Sequence, residues 1–176
     1  MKFINLNYLV IIFYLISSNF SYSIERPDIK NLIIYNQKKK IENLEFLDSE
    51  GYKTSINNYK ENTIMINFWA TWCAPCRKEM PSLDKLKSID EFKDIHIIPI
   101  NIGGDTIEKS KKFFQELEIN NLKTFSGSGE KFSEKFKIRG LPTTVLIDKN
   151  GYEFARIVGY IDFENKSFLD WLKKNL

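Results

Sequence analysis

Two cysteines, Cys73 and Cys76, stand three positions apart in Trp72-Cys73-Ala74-Pro75-Cys76, and the chain has no others. Residues i and i+3 of a helix share a face, so the two sulfurs can close a small ring with little backbone movement. Upstream, Thr63 to Trp69 is apolar and β-branched on both faces, the pattern of a buried strand, and helical periodicity begins near Cys73. A helix N-terminus presents free N–H groups and partial positive charge, which favours a thiolate at Cys73 and lowers its pKa. Cys73 is therefore the expected attacking sulfur. Cys76, one turn further in, is placed to resolve a mixed disulfide by attacking Cys73. Pro75 fixes the backbone between them and has no N–H to lose at a helix start.

Two other uses of such a pair are weaker. A structural zinc site takes four ligands, and the chain adds only one histidine, His96. A stapling disulfide here would close a loop of four residues and constrain the unfolded chain very little.

The surrounding elements must hold this dithiol in place. After the cysteines, Met80, Leu83 and Leu86 mark one face of a helix, and Ile95 to Ile102 reads as a central parallel strand. His96 within it is expected as a packed or edge residue. Asp105 with Glu108 predicts a capping box for a helix that turns Phe114 and Leu117 inward. Leu122 to Gly127 predicts a short strand or loop, and Phe132 and Phe136 a short helix. Val145–Asp148 and Glu153–Val158 predict a hairpin around Asn150-Gly151. The last helix is expected to bury Phe168, Leu169, Leu172 and Leu176. Nearer the N-terminus, Leu44 to Ile56 predicts two short strands around an Asp/Ser/Gly turn. This order gives an α/β fold, a central mixed sheet with helices on both faces.

With 43% hydrophobic and 28% charged residues in 176, one domain is expected. A net charge of +3, with no basic stripe interleaved with aromatics, argues against nucleic acid. Residues 1–23 combine Lys2, an apolar run from Leu9 to Ile16 and Ser21-Tyr22-Ser23, the pattern of an export signal. It is either cleaved or kept as a membrane anchor. Export puts the cysteines in an oxidising compartment, the periplasm, where an isolated dithiol suits a catalyst. Residues 24–40, with Pro27 and the run Lys38-Lys39-Lys40, read as a leader or spacer, leaving 41–176 as the domain.

Phe68-Trp69-Ala70-Thr71-Trp72-Cys73-Ala74-Pro75-Cys76 resembles the active-site motif of the thioredoxin superfamily, and Arg77-Lys78-Glu79-Met80-Pro81 is similar to its TlpA/ResA-like thiol-disulfide oxidoreductases. Gly140-Leu141-Pro142-Thr143-Thr144 resembles their cis-proline loop. The resemblance spans roughly residues 41 to 176. It implies a thioredoxin fold with an extra N-terminal β-hairpin and no cofactor beyond the redox-active disulfide. It also implies a cis Pro142 that lets Leu141 offer its N–H and C=O to an extended substrate, with Trp72, Ala74 and Pro75 beside it. Glu79 would exchange a proton with Cys76, since Asn67 stands where cytosolic thioredoxins carry a buried aspartate. Trp69 is expected in the core, and Pro81 should kink the helix.

The implied partners are protein disulfides and a CcdA/DsbD-like membrane electron donor. In the TlpA branch the clients would be oxidase subunit II and its copper chaperone. In the ResA/CcmG branch they would be the haem-attachment cysteines of apocytochrome c. Missing the Gly-Val-rich insert near Pro142, the chain leans to TlpA. A disulfide oxidant or isomerase, or a non-catalytic copper-binding module, would share the motif.

Overall fold

The computed structural model describes residues 27–176, so the expected export segment lies outside the described residues. Among the described residues eight strands form one mixed sheet in the order β1-β8-β7-β4-β5-β6-β2-β3. They are β1 (Leu32–Lys40), β2 (Glu45–Leu47), β3 (Lys53–Ser55), β4 (Ile64–Trp69), β5 (His96–Asn101), β6 (Phe125–Ser126), β7 (Thr143–Ile147) and β8 (Tyr152–Val158). Four α-helices accompany them among the described residues: α1 (Ala74–Ser88), α2 (Ile107–Glu116), α3 (Gly129–Phe136) and α4 (Lys166–Lys174).

The centre of the sheet is β4, buried at every position. It runs parallel to β5 and antiparallel to β7, and its alternation sorts the core into two layers. Met65 and Trp69 point to the layer built with α1, α2 and α4. Ile64, Ile66 and Phe68 point to the layer that holds Phe132 and Phe136 of α3. Phe68 pairs with Thr143, and Trp69 with Asn101. The C-terminal ends of β4 and β5 and the start of β7 therefore meet at one end of the sheet, where open α/β sheets place their sites.

The spacer expected over 24–40 is corrected by β1, which pairs antiparallel with β8 and forms the sheet edge. Leu32 and Ile34 pack on the core while Ile33 faces outward, so the stretch has a strand's alternation. Its lysines stay exposed yet engaged: Lys38 Nζ reaches Asp148 Oδ2 at 2.8 Å, and Lys40 lies over the Tyr152 ring. The hairpin β7–β8 turns at Gly151, where φ is +81°. Asp105 is not a helix cap. Thr106 caps α2, its hydroxyl accepting from the Lys109 N–H. In α4 the buried residues are Phe168, Trp171 and Leu172, whereas Leu176 lies beyond the helix end and is half exposed.

Candidate active site: a helix-capping disulfide

Cys73 and Cys76 form a disulfide with an S–S distance of 2.07 Å. Cys73 is the N-cap of α1, and its Sγ accepts the Cys76 N–H at 3.2 Å. The electropositive end of the helix is thus aimed at the outer sulfur, a direct reason for a thiolate there. Cys73 is 5% exposed and Cys76 wholly buried, so only the first can meet a partner disulfide. Ala74 and Pro75 are exposed between them. Trp72 stands out at 66% exposure, its Nε1 donating to the Gly103 carbonyl at 3.3 Å. Trp69, by contrast, is buried against Phe113 and Phe114 of α2.

The Leu141–Pro142 peptide is cis. Leu141 packs against the cluster that includes both cysteines. Pro142 offers its carbonyl to the Gly159 N–H at 2.8 Å. Among the described residues no backbone hydrogen bond uses the Leu141 N–H or C=O. An extended peptide laid beside Cys73 can take both.

Glu79 is fully buried on the same face of α1 as Cys76, three residues on. The Asn67 side-chain amide donates to its Oε1 at 2.7 Å and to Thr144 Oγ1 at 2.9 Å. Its Oε2, like Asn67 Oδ1, is buried without a partner. Burial pushes the Glu79 carboxyl up to about 8, against the smaller opposing pull of the Asn67 amide and the Ile161 N–H. The neutral acid dominates at pH 7, and the group titrates where a thiol does. Pro81 lies inside α1, which continues through it to Ser88. His96 is half-buried on the sheet, bonded to Asn62 and edge-on to the Tyr59 ring, away from the cysteines' end of β4.

Asp105 belongs to the site, which its local sequence did not reveal. Its side chain is 4% exposed and accepts from the Thr71 N–H, the Asn101 amide and Lys109 Nζ. Those donors outweigh the desolvation that opposes them and hold its carboxyl down to about 2. The Asn-Ile-Gly-Gly-Asp run that leaves β5 was the available signal.

Comparison with known proteins agrees with this geometry. The Redoxin family model matches residues 27–168. The thiol-disulfide oxidoreductase ResA of Bacillus cereus is 31% identical over 121 residues, covering 69% of each chain. ResA of Geobacillus thermodenitrificans is 31% identical over 127 residues, 72% of each chain. Among solved structures, a DsbF homologue from Corynebacterium diphtheriae superposes with a TM-score of 0.69 at 18% identity, covering 84% of this chain and 95% of that one. The exposed lipoprotein thioredoxin of Streptococcus pneumoniae gives 0.64 at 22% identity, over 77% and 100%. These two share the thioredoxin fold.

Proposed function

We propose, from the premise that this chain belongs to the Redoxin family and is a TlpA/ResA-like thiol-disulfide oxidoreductase, that it acts outside the cytoplasm as a reductase of protein disulfides. The observation that carries this reading is the Cys73 sulfur at the α1 N-cap, the more open of the pair, beside an exposed Trp72 and the free backbone of Leu141.

In the reduced enzyme the Cys73 thiolate attacks one sulfur of a client disulfide. The other client sulfur leaves as a thiolate and takes a proton from water. Cys76 then loses its proton to the ionised fraction of Glu79 and attacks Cys73 Sγ, releasing the second client sulfur as a thiolate. The client gains two electrons, and the enzyme ends with the Cys73–Cys76 disulfide seen here. A base whose pKa lies near that of the thiol is well matched to this transfer. The reductive direction is supported by the charges around the pair. Arg77 is engaged by Glu116 and Lys109 by Asp105, so both cations are paired and thiolate stabilisation is limited to the helix end. A weakly stabilised thiolate makes a reducing couple.

Residues 1–23 would carry the chain to the periplasm, as a cleaved signal or an anchor, where a CcdA/DsbD-like membrane protein would recharge the disulfide. Among the described residues no helix is long and apolar enough to cross a membrane. Likeness to relatives named ResA supports the ResA/CcmG branch, for which the family resemblance implies the haem-attachment cysteines of apocytochrome c as client. The second reading, oxidase subunit II and its copper chaperone, is favoured by the direct run of Gly140–Pro142 into β7 without an insert. The test is trapping. Cys76→Ser, mixed with oxidised peptides carrying either the CxxCH or the copper-site cysteines, should accumulate a mixed disulfide through Cys73 with the first. Accumulation with the second alone reverses the client assignment, and trapping of neither overturns the reductase reading.

A further inference from the structure

The turn that leaves β5, residues 102–105, is tied to the Cys73 stretch at four points. The Ile102 N–H donates to the Trp69 carbonyl at 3.0 Å. The Thr71 N–H donates to Asp105 Oδ2 at 3.0 Å, and Trp72 Nε1 donates to the Gly103 carbonyl. Gly103 lies flat on Ala70: a Cβ there would fall 2.4 Å from the Ala70 Cβ and 2.9 Å from Trp72 Nε1. Only glycine permits that approach.

Asn101, 2% exposed, holds the turn from behind. Its Oδ1 accepts the Gly103 N–H at 2.8 Å, and its Nδ2 donates to Asp105 Oδ2 and Ser110 Oγ, both at 3.0 Å. The network ends on a large apolar side chain held in solvent. An exposed indole ordinarily gives up rotamer freedom when a partner packs on it, and ordering it beforehand removes that cost from binding.

We propose that Asp105, with Asn101 and Gly103, is a positioning group that pre-orders Trp72 and the Thr71 backbone as a docking platform for extended protein disulfides. The bracket sets affinity for protein clients and leaves the thiol exchange itself unchanged. This rests on the reading above that Cys73 attacks protein disulfides.

The experiment compares two substrates on the full chain, recharged with dithiothreitol: insulin, a protein disulfide, and 2-hydroxyethyl disulfide, a small neutral one. Asp105→Ala should raise KM for insulin about tenfold, with kcat and the rate on the small disulfide within about twofold. Trp72 emission anisotropy should fall. Asp105→Asn keeps an oxygen for the Thr71 and Asn101 N–H groups and loses only the Lys109 ion pair, so it should retain the low KM. Asn101→Ala should follow Asp105→Ala, and it decides the matter by the same criteria if that variant does not fold. An unchanged KM in a folded variant overturns the proposal, as does equal slowing on both substrates, or Asp105→Asn behaving like alanine. If the unsubstituted chain reduces neither substrate, the reductase reading fails and this inference falls with it.

Discussion

Two carboxyl groups are tied to the dithiol segment, and the protein holds them in opposite states. Glu79, within α1, is wholly buried, and burial pushes it up to about 8 against the smaller pull of the Asn67 amide and the Ile161 N–H. Asp105, beside the strand end that leads into Cys73, lies nearer the surface and takes a backbone N–H, an amide and an ammonium, and is held down to about 2. Depth of burial and the supply of donors together decide which carboxyl stays charged. The neutral one is placed to move a proton, and the charged one to hold backbone.

The largest test of that contrast is stability against pH in the oxidised protein, where no thiol titrates. With a folded pKa near 8 and an unfolded value of 4.5, Glu79 binds more protons in the native state between those limits. Its contribution is full below pH 4.5 and is lost as pH rises through 8, by about 5 kcal/mol. Urea titrations at pH 4.5 and 8.5 should show this loss, and Glu79→Gln should remove most of it. The same variant should slow release of the client from the mixed disulfide by about a hundredfold at pH 7 in stopped-flow measurements, if Glu79 takes the Cys76 proton.

Asp105 gives the opposite slope. Its folded value lies below 3.8, so its contribution is present above that pH and lost as pH falls through 2, by about 2 kcal/mol. Acid unfolding of Asp105→Ala should lack this step. The smallest effect is expected of Asn67→Ala, which removes the amide from Glu79 Oε1 and Thr144 Oγ1. It should cost about 1 kcal/mol and move the Glu79 titration further up, followed by carboxyl infrared absorption.

The same contrast explains what the sequence disclosed. Cys73, Pro75 and the Asn150-Gly151 turn are local patterns, with meaning carried by spacing within a few residues. Pro142 was legible through the motif around it. The burial of Glu79 is not local, since it needs Ile161 and the chain around it to close over α1 from far along the sequence. Asp105 and Glu108, three apart, mimic a cap, while the Thr71 N–H that Asp105 takes lies 34 residues earlier. Within the expected 24–40 spacer, the lysine run masks the strand alternation of residues 32–40. Their pairing partner β8 lies more than a hundred residues away, and only that pairing reveals Leu32 and Ile34 as core-facing.

The most direct test of the account is the equilibrium reduction potential of the Cys73–Cys76 pair, by titration against dithiothreitol at pH 7. A Cys73 thiolate stabilised by the α1 N-terminus alone predicts a reducing couple, near the roughly −270 mV of thioredoxin or below it. A value near the roughly −120 mV of DsbA would make the protein a donor of disulfides and contradict the account.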